Sequence, residues 1–329
     1  MQKTAGLIKK RVLELLADGT VTKVLGWKTG DFIYDVTPAF FSSESETEDL
    51  VYTSFCGANL SKYLIDACKA QTEGKLLVLL KPCDTYSFNQ LLTEHRIDRD
   101  KIYVIGVGCK GMLDIEKIKA MGIKGVTKVI DGGEELDIKT IYGDKTCKRE
   151  DALLEKCLCC KSKDFKVFDE IIDGEAEDET EKKDRFEEVA KLEAMTAEER
   201  YAFWQEQLSK CIRCNACRNV CPACSCMKCV FDNPVSGVSS KANADSFEEK
   251  MFHIIRAFHV AGRCTDCGEC SRVCPQNIPL HLLNRKFIKD INELYGEYQA
   301  GEQAGSRAPL VNFTFDDAEP SVVHERGNS

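Results

Sequence analysis

Apolar positions in the first half of the chain follow two alternating patterns. Between residues 7 and 16 they recur at the spacing of one helix face, and Gly19 then marks a stop. From about 50 to 145, four apolar runs predict strands: LVYTSF, KLLVLLK, KIYVIGV and VTKVI. The intervening segments ANLSKYLIDACKA, DTYSFNQLLTEH and MLDIEKIKAMG predict helices. Because buried strands that alternate with helices are typical of parallel sheets, residues 1–168 are predicted to form an α/β domain with a mainly parallel sheet.

The pattern changes in the second half. Residues 169–199 are strongly acidic and predict a solvated linker that leads into the start of a helix. Residues 200–295 are rich in cysteine, with helical segments AEERYAFWQEQLSK and FEEKMFHIIRAFHVA, and predict a mainly α-helical domain. Residues 296–329 form a polar tail in which only PLVNFTF is apolar enough to dock on a neighbour.

Composition narrows the class of protein. The chain has 329 residues, 43% of them hydrophobic, and a formal net charge of −9. The acidic balance argues against nucleic acid as a partner, since phosphate neutralisation needs clustered Lys and Arg. No apolar run approaches the roughly 20 residues of a membrane span, and the amino terminus lacks a secretory pattern. A cytoplasmic location is therefore expected.

Nineteen cysteines determine the predicted chemistry. A disulfide framework requires an oxidising compartment and usually a small secreted chain, and neither condition fits this sequence. In a reducing compartment, closely spaced cysteines indicate metal binding.

Two segments repeat the pattern C-x2-C-x2-C-x3-C-P, which is the bacterial ferredoxin motif. In two-cluster ferredoxins the fourth cysteine of each motif ligates the other cluster. One 4Fe-4S cluster is therefore predicted on Cys211, Cys214, Cys217 and Cys274, and a second on Cys264, Cys267, Cys270 and Cys221. The alternative, zinc, usually pairs two C-x2-C halves across a spacer. The two motifs predict a dicluster ferredoxin domain.

A third 4Fe-4S cluster is predicted in the first half. Cys83 and Cys109 each follow a predicted parallel strand, where open α/β sheets place their ligands. Cys157 and Cys160 form a further C-x2-C. The alternative, that cysteines are inert and buried, fits Cys68 and Cys147 better than these four.

A nucleotide site competes with this interpretation. Gly106, Gly108 and Gly111 spell G-x-G-x-x-G between a predicted strand and helix, and Asp131 ends the next strand. This is the nominal dinucleotide fingerprint. A cysteine occupies the loop, however, and the unit is not the first of the sheet, so NAD(H) is kept as the alternative carrier.

Five further cysteines have no assigned ligand role. Cys224, Cys226 and Cys229 follow the first motif, whose ligand set is complete without them. We predict that they are thiols packed beside a cluster that donate S–H hydrogen bonds. The alternative is an extra site completed by Cys159 or Cys56.

The segments VLLKPCDTYSFNQLL and VIGVGCKGMLD resemble the beta subunits of deazaflavin (coenzyme F-420) hydrogenases and of the related formate dehydrogenases. Their P-C loop, later strand-end cysteine and downstream C-x-x-C match Cys83, Cys109, Cys157 and Cys160. The segments SKCIRCNACRNVCP and FHVAGRCTDCGECSRVCPQNIPL resemble the two-cluster ferredoxin extension of the formate dehydrogenase type.

The resemblance implies an FAD, expected near the strand ends around Cys83 and Cys109, that exchanges electrons with a soluble carrier, NAD(H) or a deazaflavin. It also implies catalytic partner subunits in an anaerobic redox complex of formate dehydrogenase, hydrogenase or heterodisulfide-reductase-like type. We therefore expect an iron-sulfur flavoprotein electron-transfer subunit, an oxidoreductase without catalytic residues of its own. The alternatives are an NAD(P)H-linked oxidoreductase and a non-enzymatic iron-sulfur sensor or adaptor.

Overall fold

The computed structural model describes residues 2–161, 164–173, 183–233 and 246–311. The described strands are β1 (Val21–Thr29), β2 (Val36–Phe41), β3 (Leu50–Val51), β4 (Lys75–Leu80), β5 (Ile102–Val107), β6 (Val126–Asp131), β7 (Glu135–Thr140), β8 (Lys145–Lys148) and β9 (Glu170–Ile172).

The helices include two groups, one in each half of the chain. In the first half they are α1 (Gln2–Ala17), α2 (Glu44–Thr47), α3 (Leu64–Ala70), α4 (Pro82–Thr93), α5 (Ile115–Ala120) and α6 (Glu155–Leu158). In the second half they are α7 (Glu187–Glu193), α8 (Ala197–Ser209), α9 (Ala216–Asn219), α10 (Ser246–His259), α11 (Glu269–Arg272) and α12 (Leu280–Tyr295).

The main sheet has the strand order β2-β1-β4-β5-β9, and β3 also pairs with β1. The β1–β4, β4–β5 and β5–β9 pairs are parallel, whereas β2 and β3 run antiparallel to β1. Five of the six β4 residues are buried, as expected for a strand covered on both faces. The predicted α/β fold with a mainly parallel sheet is confirmed.

One predicted strand lies elsewhere. The segment VTKVI forms β6 as expected, but β6 pairs antiparallel with β7, which pairs with β8. These strands form a separate three-stranded sheet rather than extending the parallel one. The short β6–β7 connection explains this, since a tight turn joins antiparallel strands and a parallel pair needs a crossover.

Most apolar positions that the sequence pattern predicts to be buried in the first half are buried in the structure. Ile8, Val12 and Leu15 of α1 are buried, whereas Leu7 is 44% exposed. The predicted LVYTSF strand shortens to the two residues of β3. Pro82 opens α4 at the first helical turn, where its missing N–H costs no hydrogen bond.

The second half is helical, as predicted. Thr196 and Glu199 form a capping box that starts α8. Helix α10 packs against α8 and α12. Val189 and Leu192 of α7 are buried against Leu282, so the carboxyl end of the predicted acidic linker is packed. Residues 174–182 of that linker, and residues 312–329 of the predicted tail, lie outside the described residues.

The two halves are joined by polar contacts that are partly or fully buried. Arg263 Nε and Nη2 donate to Glu94 at 2.8 and 2.7 Å, and Ser225 Oγ donates to the same carboxylate at 2.7 Å. The hydroxyls of Ser87 and Thr265 are 2.9 Å apart. No helix within the described ranges is long and apolar enough to cross a membrane.

Candidate iron-sulfur centres

The first predicted cysteine set lines a single cleft. Its walls include Cys211, Cys214 and Cys217 of the first motif together with Cys274 of the second. Burial, the largest cause, raises the pKa of Cys217; Arg256 opposes this increase, and the nearby Cys274 sulfur adds to it. The structure therefore brings together the four cysteines of one predicted cluster, including the exchanged fourth position. Their ligation of iron stays a prediction.

The two motifs share one backbone conformation. Arg213 and Asn215 have φ of 54° and 61°, and the corresponding Asp266 and Gly268 have φ of 53° and 65°. Asn215 precedes α9, and Gly268 precedes α11. These left-handed residues curl each loop so that three cysteines face one side, which is the physical role expected of the C-x2-C-x2-C spacing.

The second predicted set is also brought together. Burial is the largest cause that raises the pKa of Cys264 to about 12 and that of Cys270 to about 11, and Cys221 contributes to both increases. The pKa of Cys267 is raised well above its ordinary value by burial and then by Cys221. Cys221 therefore lies beside the three cysteines of the other motif, as predicted.

The four cysteines of the predicted third set lie near one another at the carboxyl edge of the main sheet. Burial, then the Cys157 thiolate, raises the pKa of Cys109 to about 12, and Cys160 contributes in the same direction. Cys160 also raises the pKa of Cys83, after burial and Asp84. Backbone amides donate to two of the sulfurs, from Gly111 to Cys109 at 3.4 Å and from Met112 to Cys157 at 3.3 Å.

The remaining cysteines do not form a common site. The Cys224 thiol hydrogen-bonds to Cys221, Cys229 lies beside Arg218, and Cys226 is exposed. Cys159 faces Arg285, and Cys56 is a buried neighbour of Thr53. Of the predicted S–H hydrogen bonds, the Cys224 contact is the one that lies beside a predicted ligand. Within the described ranges, no three His, Cys, Asp or Glu side chains converge on one metal ion.

Three side chains near the sulfurs had no signal in the sequence. His253 Nε2 lies 3.2 Å from the Cys211 sulfur, and Asn284 Nδ2 lies 3.7 Å from the Cys270 sulfur. Burial, with Arg256 and Arg213, lowers the pKa of His253 to about 3, so its ring is neutral at ordinary pH. Arg256 is the third, buried among thiols of both motifs. The periodicity of a helix predicts that such residues are buried, but it does not predict which groups they contact.

A buried ion pair joins the third predicted set to the second. Lys156, next to Cys157, contacts both the Gly57 carbonyl and the Glu269 carboxylate, next to Cys270. Burial alone would raise the pKa of Glu269, but Arg272 and Lys156 outweigh it and hold the pKa well below its ordinary value. The charged pair therefore fixes the distance between the two cysteine loops.

The G-x-G-x-x-G segment does not have the geometry of a phosphate loop. Gly106 lies within β5, paired with Leu80, and a Cβ there would meet the Phe165 ring at 2.8 Å. The following helix α5 begins at Ile115, beyond the motif. Asp131 is bound by Arg149 at 3.0 Å and lies in the separate sheet, so it does not flank the loop as in a dinucleotide fold.

A cavity of about 370 Å³ opens between the two halves, beside the Cys157 and Cys270 loops. Its polar lining is mixed, and Leu154 contributes to its apolar wall. The cations are Lys117, Lys156, Arg272 and Arg285, and the carboxylates are Asp114, Glu116 and Glu155. Its size is within the range of small-molecule sites.

Comparison with known proteins bears on the chemistry of these centres. Residues 207–278 match the family described as the 4Fe-4S dicluster domain. The F420-dependent formate dehydrogenase subunit beta of Methanocaldococcus jannaschii is 24% identical over 359 aligned positions, which cover 91% of this chain and 92% of that protein. The predicted resemblance is confirmed.

A second sequence relative fits the same description. The F420-dependent formate dehydrogenase 1 subunit beta of Methanococcus maripaludis is 27% identical, covering 84% of this chain and 87% of that protein. A chain of the F420-reducing NiFe hydrogenase complex from Methanosarcina barkeri aligns with a TM-score of 0.39 at 15% identity, over 49% of this chain and 60% of that chain. The sequence relatives are subunits of formate dehydrogenase, an oxidoreductase. The comparisons support an iron-sulfur oxidoreductase subunit.

Proposed function

We propose that this chain is the electron-transfer subunit of a formate dehydrogenase-type complex, with three 4Fe-4S clusters and one FAD. The observation that carries the proposal is the exchange of fourth cysteines, since Cys274 lines the cleft of the first motif and Cys221 lies beside the second. Such an exchange belongs to two-cluster ferredoxins and has no counterpart in a tetrahedral zinc module.

The residues present fit an anionic iron-sulfur group. Arg256 is a buried cation without a carboxylate partner among the described residues, and it lies among thiols. Buried charges in proteins are normally paired. An anionic cluster held by these cysteines would supply the missing negative charge. A 4Fe-4S cluster supplies one-electron transfer when bound.

The chain's own residues would hold and orient these groups. Twelve cysteines would bind iron, in the three sets described above. His253 and Asn284 would donate hydrogen bonds to the sulfurs of Cys211 and Cys270. Lys156 and Glu269 would keep the third set beside the second. The three sets would then follow one another from the α/β half to Cys214, which is exposed.

FAD is assigned to the cavity between the two halves. Its apolar wall suits a flavin ring, and Lys117, whose ion pair with Glu155 is long at 3.6 Å, is the lining cation most available to a pyrophosphate. A flavin is the natural converter between a two-electron carrier and one-electron clusters. The names of the relatives favour a deazaflavin as that carrier and formate dehydrogenase catalytic subunits as partners.

Metal and flavin analysis tests the assignment. Protein purified from its source without oxygen is expected to contain about twelve iron atoms per chain, with one FAD. A content of about eight iron atoms per chain would contradict the third cluster. A content of about one iron atom per chain together with bound zinc would overturn the proposal. Absence of flavin would favour a sensor, and flavin reduction by NADH would favour the NAD(P)H-linked alternative. Co-purifying subunits would identify the partner enzyme.

Filling the cavity tests the flavin site separately. Ala120 lines the cavity at the end of α5, whereas Met121 is its exposed neighbour and does not line it. We expect A120W to lose bound flavin while iron content is unchanged, and M121W to retain both. Equal flavin content in A120W and wild type would place the flavin elsewhere.

A further inference from the structure

Arg256, a buried cation on α10, has no carboxylate partner among the residues that the structure describes. The Arg256 side chain on α10 is 1% exposed, and among the described residues its Nε, Nη1 and Nη2 atoms have no hydrogen-bond partner. Its charge acts instead on the thiols of Cys270, Cys217, Cys221 and Cys224. Cys217 belongs to the first predicted cluster, and Cys270 and Cys221 belong to the second. The guanidinium therefore lies between the two sets.

Four other buried cations among the described residues differ from Arg256 in this respect. Each is paired with a carboxylate: Lys81 with Asp84, Lys156 with Glu269, Arg285 with Asp266 and Arg149 with Asp131. A buried charge without a partner is strongly unfavourable. Arg256 therefore requires an anion, and thiolates that bind iron are the anions next to it.

We propose that Arg256 is a positioning residue that carries the shared countercharge of the two ferredoxin-type clusters and sets both reduction potentials. The inference rests on the proposed function, since it takes the motif cysteines as iron ligands. Reduction adds one electron to a cluster without exchanging an atom. A fixed cation nearby stabilises the added negative charge and raises the potential. Because Arg256 interacts electrostatically with two thiols of the second set and one of the first, the effect is larger on the second cluster.

Redox titration of the full chain, followed by electron paramagnetic resonance, tests the inference. R256M removes the charge and keeps an unbranched side chain. At the wild-type midpoint we expect its ratio of reduced to oxidised second cluster to fall at least tenfold, which is about 59 mV for a one-electron couple. The first cluster shifts in the same direction by less. R256K keeps the charge, and its ratios are expected to stay within threefold.

A control variant tests whether the position of the charge matters or only the net charge of the protein. Arg200 lies in the same half and caps the carbonyl end of α7, contacting Leu192 and Glu193 oxygens rather than thiols. R200M changes the net charge equally and is expected to leave both potentials in place. Unchanged potentials in an R256M protein with full iron content would overturn the inference.

Loss of the clusters in R256M and a large shift in R256K are the two other possible results. If R256M does not retain its clusters, R256Q replaces it as a smaller neutral variant, and R256K is compared with wild type in any case. A tenfold shift in R256K would show that the charge is not responsible and would overturn the inference. Failure of the proposed function is distinct, because it would appear in wild-type protein as missing iron and missing cluster signals.

Discussion

At the scale of the residue, the partly buried carboxylate of Glu94 joins the two halves. Glu94 follows α4 in the first half, and it accepts hydrogen bonds from Arg263, Ser225 and Gln90. Burial raises the pKa of Glu94, but these hydrogen bonds outweigh burial and hold the pKa below its ordinary 4.5. A depressed pKa in the folded state means that the interaction stabilises the protein above pH 4.5 and weakens as the pH falls below it.

Replacing this carboxylate tests its contribution. We expect E94Q to lower the free energy of unfolding by about 2 kcal/mol at pH 7, since charged hydrogen bonds of a largely buried group are lost. Urea unfolding at pH 7 measures the change. As a matched control, Glu14 contacts Arg11 on the exposed face of α1, and E14Q is expected to change stability by less than about 0.5 kcal/mol. Equal effects of the two variants would contradict the assignment.

At the scale of elements, continuous motifs were predictable and distant pairings were not. The ferredoxin loops were located from sequence because three cysteines at fixed spacing imply a curled loop. The β6 strand was also located, but its sheet was assigned wrongly, because VTKVI has the same apolar pattern in either sheet. His253 contacts the Cys211 sulfur from 42 residues further along the chain, and no local sequence pattern predicts such a contact.

The segment after α12 offers an element-scale prediction. Gly301 has φ of +76°, and a Cβ at this position would overlap with the Tyr86 carbonyl oxygen on α4. Gly305, in the same segment, has φ of +82° but no atom within 4 Å of that position. We expect G301A to lower stability by about 3 kcal/mol and G305A by about 1 kcal/mol, because both incur backbone strain and only the first adds a clash.

Thermal unfolding and limited proteolysis measure this difference. In G301A, residues after 296 are expected to become susceptible to protease, while G305A remains resistant. If the two variants were equally stable, the contact between this segment and α4 would be unimportant for folding.

At the scale of the whole molecule, the two halves are expected to unfold as one unit. Glu269 of α11 is fully buried and binds both Lys156 of the first half and Arg272 of its own helix. It also accepts a hydrogen bond from the Asn59 amide. This shared network crosses from the ferredoxin loop to the α/β half, so separating the halves would leave buried charges unpaired.

The two tryptophans of the chain report on each half. Trp27 is buried in the first half and Trp204 packs in the second. Each single-tryptophan variant reports on one half by its fluorescence: W204F retains Trp27, and W27F retains Trp204. When no other residue is changed, their urea unfolding transitions are expected to coincide. Adding E269Q is expected to cost about 3 kcal/mol and to separate the transitions. E116Q, at an exposed pair with Lys119, serves as the control and should leave them coincident. Coincident transitions in E269Q would show that other contacts couple the halves.

The small sheet of β6, β7 and β8 has a practical consequence. Its segment leaves and re-enters the first half side by side, since Leu113 and Leu153 form a bridge and Asp114 N donates to the Ala152 carbonyl. The turn after β7 is solvent-facing, with Tyr142 76% exposed. A chemical tether at this turn could therefore attach the protein to an electrode through the small sheet. The cysteine loops would not be altered, because they lie outside this sheet. The attachment point would also define how the molecule is oriented on the electrode surface.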